Sequence, residues 1–367
     1  MRILQTLGVK FSGKRPPLTG GYALVEGTKQ TLPVGLVSFL TTGALNLAAK
    51  LEAIRFLTGL PQLETRLLQR TTVQDWLTQT FQHEQTRQMI EAFFRLTTYA
   101  NDPTRASAGV ALAQLQQAFA QGVFYLDGGW QTLVDGLRQK AEQAGARFVT
   151  GQRVVALEHD GTVQALRLAN GERLPVRAAV IAASPQEVAA LLEPDGNGAW
   201  HQFAKQVVPT RAACLDVALE RLPVPTATFG LGFEQPTYLS VHSATARLAP
   251  TGGALIHVMK YLSAEPTDDA ANERELEGVL DLLQPGWRAV LRDRRWLPHM
   301  LTSNAAVTAT QGGLAGRPTV DAAGVRGVWL AGDWVGGEGL LADASVASGW
   351  HAAKMILQQR TLVAKAA

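Results

Sequence analysis

The stretch that decides the fold reads Val328-Trp329-Leu330-Ala331-Gly332-Asp333-Trp334-Val335-Gly336-Gly337-Glu338-Gly339-Leu340-Leu341-Ala342-Asp343-Ala344-Ser345-Val346-Ala347-Ser348-Gly349. Its first residues, with Gly327, predict a buried strand that ends in a Gly-Asp pair. A glycine-rich loop follows, and then a long helix is predicted over residues 343–359. Ligands of open α/β sheets bind at the carboxyl ends of strands, so this loop is a candidate binding site.

The residue types in this stretch suit a flat ring that carries a polyhydroxyl chain. Gly332 permits a ligand to approach the backbone closely, and Asp333 can accept hydrogen bonds from hydroxyl groups. The glycines around Gly339 let the loop lie flat. The helix start directs free N–H groups and a positive dipole end at an acceptor such as a carbonyl. A flavin has such a pyrimidine edge and ribityl chain; the alternative is a routine sheet-to-helix loop.

Segments upstream fit the same kind of domain. Gly128-Gly129-Trp130 precedes a predicted helix, and residues 147–150 are predicted as a strand. Residues 154–171 are predicted to form a meander of short strands with Asp-Gly and Asn-Gly turns. Residues 178–183 are small and apolar, which predicts a strand buried on both faces. Ser184-Pro185 then begins a helix with a cap and an N1 proline.

In these motifs the chain resembles the phytoene desaturase and flavin amine oxidase superfamily, which includes protoporphyrinogen oxidase. The matching motifs are Gly128-Gly129-Trp130, Ala182-Ala183-Ser184-Pro185 and Gly332-Asp333, in the family's order and approximate spacing. The resemblance implies an α/β (α+β) fold with a Rossmann-like FAD/NAD(P)-binding flavin domain and an interleaved substrate domain of mixed sheet and helices. It assigns residues 125–195 and 300–367 to the flavin domain, and residues 9–124 and 196–299 to the substrate domain.

The same resemblance implies a non-covalent FAD and several of its contacts. Val154 corresponds to a backbone contact of the adenine, and Ala183 and Ser184 to the adenosine-pyrophosphate region. Asp333 corresponds to the acid of the ribityl or pyrophosphate region. Together with the glycines noted above, the candidate cofactor-binding residues are Val154, Ala183, Ser184, Gly332, Asp333, Gly339, Leu341, Ala342 and Asp343. No catalytic side chain and no metal ligand is assigned.

The family's main cofactor-binding motif, G-x-G-x-x-G between a strand and a helix, is absent from the sequence. Residues 2–8 have the pattern of the last turns of an amphipathic helix. They resemble the family's segment directly after this missing unit. We therefore expect a flavin domain incomplete at its N-terminus, through a miscalled start, a truncated gene or a split protein. Such a chain is expected to hold FAD poorly by itself. The strands near Val180 and Leu330 would lack their central neighbours and keep unpaired edges.

Composition excludes several other classes of protein. One cysteine in 367 residues rules out an internal disulfide framework and a cysteine zinc cluster. A net charge of +3, with no dense Lys/Arg block, argues against nucleic-acid binding. G-x-S-x-G is absent, so hydrolase chemistry is set aside. His242, His257 and His299 have no metal-ligand spacing and are interpreted as structural or solvent-exposed, and Cys214 as a buried structural thiol.

Residues 31–49 carry no charge and contain Pro33, Gly35, Gly43 and Asn46. They are interpreted either as a buried or cavity-lining helical hairpin, or as a peripheral membrane contact. The N-terminal apolar stretch is too short for a secretory signal, so a cytoplasmic location is expected, with peripheral membrane association left open.

These observations predict an FAD-dependent oxidoreductase that removes a hydride or two electrons from an apolar, isoprenoid- or lipid-like substrate, or desaturates it. An amine oxidase-like or protoporphyrinogen oxidase-like enzyme is one alternative. The other is a non-catalytic protein or one half of a split enzyme. The sequence does not specify the electron acceptor or the oligomeric state.

Overall fold

The computed structural model describes residues 2–17 and 20–366, with side chains described as far as Gln359; Met1, Leu18, Thr19 and Ala367 lie outside the described residues. The helices are α1 Arg2–Thr6, α2 Leu36–Thr41, α3 Leu47–Gly59, α4 Val73–Thr80, α5 Glu84–Thr98, α6 Ala108–Gln121, α7 Gln131–Gln143, α8 Pro185–Leu192, α9 Ala199–Gln206, α10 Asp269–Leu283 and α11 Leu341–Ala366. The strands are β1 Gly13–Lys14, β2 Gly21–Val25, β3 Thr28–Thr31, β4 Tyr125–Leu126, β5 Val154–His159, β6 Val163–Leu168, β7 Arg173–Pro175, β8 Ala179–Ile181, β9 Thr210–Leu219, β10 Phe229–Gly232, β11 Thr237–Ser240, β12 Ala254–Leu262, β13 Leu291–Ser303 and β14 Val328–Leu330.

A seven-stranded mixed sheet forms the centre of the predicted substrate domain. Its strand order is β13-β9-β12-β11-β10-β2-β3, with β10 and β2 parallel and the other neighbours antiparallel. Alternate residues of β9 point to opposite faces, as the strand period requires. Leu215 and Val217 join the core beneath α10, whereas Ala212 and Cys214 face the opposite side with Tyr261. The prediction of mixed sheet over residues 212–262 is confirmed.

Helices α3 to α6 pack into one core beside this sheet, around Met89, Ile90, Phe93 and Phe94 of α5. Side-chain caps fix two of their starts. Thr72 accepts the backbone N–H of Asp75 at α4, and Ser107 accepts that of Val110 at α6. Each cap is a local signal, because its two partners lie three residues apart in the chain.

The α/β part of the fold contains two small sheets. β5, β6 and β7 form the predicted antiparallel meander, and β8 pairs in parallel with β14. Trp329 and Leu330 of β14 are buried against α8 and α11. The predicted α/β (α+β) fold class is confirmed. Within the residues that the structure describes, no helix is both long and apolar enough to cross a bilayer.

Two local predictions are wrong. Residues 147–150 are not a strand, because no neighbouring strand pairs with them, and the side chains of Phe148 and Val149 are exposed. The strand near Val180 is not buried on both faces, since that side chain is 42% exposed. The strands near Val180 and Leu330 pair with each other, Val180 opposite Trp329, and no further strand pairs with either among the described residues, as expected for a sheet without its central neighbours.

Candidate functional site

The Asp333 carboxylate lies at the carboxyl end of β14 and binds the turn that follows β13. Its Oδ2 accepts hydrogen bonds from Ser303 Oγ and from the Asn304 backbone N–H, both at 2.8 Å. Its Oδ1 accepts one from Asn304 Nδ2 at 2.9 Å. The acid therefore fixes the end of the large sheet against the loop after β14. Its remaining lone pairs are available to hydroxyl groups of a ligand.

Trp334 joins the ends of the two parallel strands. Its side chain is 1% exposed, and Nε1 donates to the Ala183 carbonyl at 3.0 Å, across 151 residues of sequence. The indole also contacts the rings of Trp200 and Phe203. A Cβ on Gly332 would lie 2.9 Å from Trp334 Nε1, so glycine leaves room for this indole. Gly332 and Ala183 thus have structural roles that the sequence interpretation did not foresee.

The loop reaches α11 in a left-handed turn. Gly339 has φ +72°, and Leu341, the first helical residue, has φ +54°. A Cβ on Gly339 would lie 2.9 Å from the Asp343 Cβ, so this position requires glycine on both counts. The Asp343 N–H donates to the Leu340 carbonyl at 3.1 Å. Within the described part of the chain, the N–H groups of Leu341 and Ala342 have no acceptor, so they are free to bind a ligand oxygen.

A small cavity of about 40 Å³ adjoins this helix start. It lies between α5, α6 and the turn after β13. The apolar part of its lining is Val73, Phe94, Ala100, Pro103, Ala106, Val110, Ala111, Ala305, Ala306, Val307, Leu340 and Leu341. Its charged lining residues are Glu91, Arg95 and Arg317.

Two guanidinium groups of the cavity wall each keep one unpaired buried nitrogen. Arg95 is 4% exposed; it forms an ion pair with Glu91 at 2.6 Å and donates to the Phe233 carbonyl at 2.8 Å. Arg317 donates from Nη1 to the Gly339 carbonyl at 2.9 Å. Burial lowers the pKa of Arg317 to about 10, against the opposing effect of Asp333. The Nε atoms of both arginines have no hydrogen-bond partner in the structure. These donors suit a ligand with acceptor oxygens.

The other predicted cofactor residues lie apart from this group or serve local structure. Val154 begins β5 and pairs with Leu168. Ser184 forms a capping box on α8: its Oγ accepts the Glu187 N–H at 3.3 Å, and its own N–H donates to Glu187 Oε2 at 3.0 Å. The first donors of α8 are therefore partly occupied by the chain itself. Asp343 accepts a long hydrogen bond from Gln117 at 3.4 Å.

Sequence reasoning missed Ser303, Asn304, Arg95 and Arg317. A polar Ser-Asn pair directly after a strand could have indicated a functional turn. Arg317 lies between Gly316 and Pro318 with no local pattern. Arg95 appears only as one of several charges on an amphipathic helix. Their importance depends on which distant residues they meet.

A second polar group lies on the sheet face that carries Cys214. His257 Nδ1 and Asp216 Oδ1 are 2.7 Å apart, and the centroids of the His242 and His257 rings are 4.6 Å apart, with the rings tilted by 46°. Tyr125 lies 4.5 Å from the His242 ring, and the Tyr238 hydroxyl is 3.3 Å from His242 Nε2. Burial, together with the neighbouring His257, lowers the pKa of His242 to about 4. Cys214 is a buried free thiol, as predicted, and burial raises its pKa to about 12.

A sequence model of the flavin containing amine oxidoreductases matches residues 3–357. The chain belongs to this family. The family implies a flavin cofactor, with FAD the usual form, and the resemblance to this superfamily inferred from the motifs is confirmed.

Solved structures give the same fold at low sequence identity. An oxidoreductase from Methanosarcina mazei is 14% identical, with TM-score 0.72 over 95% of this chain and 84% of that one. Cyclohexylamine oxidase from Brevibacterium oxydans IH-35A is 18% identical, with TM-score 0.70 over 98% and 85%. A reduced UDP-galactopyranose mutase is 13% identical, with TM-score 0.67 over 97% and 81%. No curated protein matches the sequence.

The residues at the start of α11 fit one end of this family's cofactor. The free N–H groups of Leu341 and Ala342 match a ring carbonyl, and Asp333 can accept from a ribityl hydroxyl. The start of α8 is less suited to the pyrophosphate, since Ser184 and Glu187 already cap it. The site of this amine oxidoreductase relative therefore fits the ring and ribityl part of FAD.

Proposed function

We propose that this chain is a flavin-dependent oxidoreductase that binds the isoalloxazine and ribityl part of FAD, without a covalent bond, at the start of α11. The observation that carries the proposal is the pair of free N–H groups at Leu341 and Ala342, beside a largely apolar cavity. In this assignment those groups bind a ring carbonyl. Asp333 holds the ribityl chain, and Arg317 keeps the Gly339 turn in place through its carbonyl.

When bound, the flavin would accept a hydride or two electrons from the substrate. The task of the chain is to orient the substrate and exclude water. The aliphatic and aromatic cavity wall favours an apolar substrate, such as an isoprenoid- or lipid-like molecule. The two buried guanidinium groups of Arg95 and Arg317 repel a protonated amine, although Glu91 offsets one of these charges. We therefore favour dehydrogenation or desaturation of an apolar substrate over amine oxidation.

A second candidate function is one half of a two-component flavoprotein. It is supported by the exposed Val180 side chain on β8, because parallel strands are usually covered on both faces. In that case the pyrophosphate would be held by residues of another chain or segment. A comparison of two ligands separates these functions: riboflavin contains only the ring and ribityl chain, whereas FAD adds the pyrophosphate and adenosine.

Flavin titration, followed by quenching of flavin fluorescence, tests the proposed site. We expect riboflavin and FAD to bind this chain with dissociation constants within about tenfold of each other, a difference of about 1.4 kcal/mol. FAD binding more than about a thousandfold tighter than riboflavin would show that the chain also holds the pyrophosphate. No binding of either ligand would contradict the proposed ring site.

Gly339→Ala should weaken riboflavin binding by at least about tenfold, because alanine disfavours φ +72° and its Cβ would collide with Asp343. The matched control is Gly349→Ala in the middle of α11, where an added Cβ meets no atom within 4 Å. That substitution should leave flavin binding unchanged and stabilise the helix by up to about 1 kcal/mol. Equal binding by both variants would place the flavin ring elsewhere.

A further inference from the structure

Helices α2 and α3 carry an exposed apolar surface that the proposed flavin site does not use. It consists of Leu36, Val37, Leu40, Leu47 and Leu51, each with 62–74% of its surface exposed. We name these five side chains the α2–α3 patch. Neither helix lines the cavity beside α11. Residues 31–49 contain α2 and the start of α3, but the interpretation of this segment as a buried or cavity-lining hairpin is wrong, because Leu36, Val37 and Leu40 are exposed.

The patch is held in a fixed shape by the fold beneath it. Phe39, Leu45 and Ala49 on the opposite side of the hairpin are buried in the helical core. Asn46 caps α3 by accepting the Ala49 N–H at 2.9 Å, and its own N–H donates to Gln85 Oε1 at 2.8 Å.

A lysine joins the two halves of the patch. Lys50 Nζ donates to the Leu40 carbonyl at 3.3 Å, so the end of α2 lies against α3 between Leu47 and Leu51. The exposed side chains therefore form one preorganised surface.

The charges around the patch are basic. No acidic residue occurs between Gly27 and Leu51, and Lys50 lies on α3 between Leu47 and Leu51. Arg55 is exposed one turn beyond Leu51 on α3. The nearest acid along the helix, Glu52, is occupied, because its carboxylate accepts the backbone N–H groups of Gln82 at 2.7 Å and His83 at 3.2 Å. An exposed apolar surface with basic neighbours is complementary to an anionic lipid surface.

We propose that the α2–α3 patch docks this protein on the surface of a bilayer that contains anionic lipid. The five aliphatic side chains enter the boundary between headgroups and acyl chains, and Lys50 and Arg55 contact the lipid phosphates. The helices lie in the interface and do not cross the bilayer. The inference does not depend on the proposed flavin site, so either can fail without the other.

Vesicle flotation tests this surface. The full chain is mixed with vesicles of pure phosphatidylcholine or of three parts phosphatidylcholine to one part phosphatidylglycerol. We expect the wild-type protein to float with the anionic vesicles and to bind the neutral ones less. The double variant Leu36→Ser/Leu40→Ser should bind the anionic vesicles at least about tenfold more weakly, since leucine burial supplies much of the affinity.

Two further variants test the charge contribution and the specificity of the patch, and light scattering measures the oligomeric state. Lys50→Gln/Arg55→Gln should reduce binding to anionic vesicles and remove the difference between the two lipids. The control Val149→Ser/Leu174→Ser removes two exposed aliphatic side chains far along the chain and should bind like wild type. Equal binding by the patch variant and the control would overturn the proposal. The proposal would also be overturned if the wild-type protein did not float and light scattering showed a dimer that the patch variant abolishes. A second copy of the chain would then cover the patch.

Discussion

Trp334→Ala should lower the free energy of unfolding by about 3–5 kcal/mol, the range for truncating a fully buried large aromatic side chain. The indole fills the space between β8, β14 and α9, and its removal leaves a cavity lined by Trp200 and Phe203. It also removes the Nε1–H donor to the Ala183 carbonyl. Chemical denaturation followed by circular dichroism measures this decrease in the free energy of unfolding. Because Trp334 joins the ends of both parallel strands, flavin binding should fall with stability.

Two controls separate the contributions of packing and hydrogen bonding. Trp334→Phe keeps much of the buried area but leaves the Ala183 carbonyl without its donor, so a loss of about 1–3 kcal/mol is expected. Trp130→Ala removes a tryptophan that is 66% exposed and should change stability by no more than about 0.5 kcal/mol. A small effect of Trp334→Ala, similar to that of Trp130→Ala, would contradict the role of the indole as the link between the strands.

Acidification should destabilise the protein through His242. Its pKa is lowered from 6.5 to about 4, first by burial and then by His257, so the folded protein holds this imidazole neutral. Between these two pH values the unfolded chain binds a proton that the folded chain does not, and stability therefore falls as the pH falls. Below about pH 4 this contribution stops growing. A pKa shift of this size lowers the free energy of unfolding by at most about 3 kcal/mol.

The groups that face His242 are Tyr125, Tyr238 and His257, with Asp216 behind the last of these. The measurement is the free energy of unfolding at pH values from 7 to 4, for wild type and for His242→Gln. The variant should lose less stability over this range than wild type. His299→Gln is the control for replacing a half-exposed imidazole by an amide. Parallel curves for His242→Gln and wild type would contradict the prediction.

The sequence by itself determined the elements whose signals are local. Four helices begin at a side chain that accepts a backbone N–H two or three residues ahead, at Thr72, Ser107, Ser184 and Asp268. Both partners of each cap therefore lie within one short stretch of sequence. The strand–Gly–Asp–loop–helix order near residue 330 likewise identified the flavoprotein fold, because its parts follow one another in the chain. The strand predicted at residues 147–150 failed because a strand needs a partner that no local pattern supplies.

Only the tertiary structure decided the roles of the site residues. Asp333 binds Ser303 and Asn304, Trp334 reaches Ala183, and Arg95 reaches carbonyls 137 and 138 residues away. The outward orientation of the leucines on α2 and α3 was also undetermined, since an apolar helix face can meet either a core or a membrane. The type of a residue determines which hydrogen bonds and contacts its side chain can make. Which of them it makes depends on the distant segments that packing brings beside it.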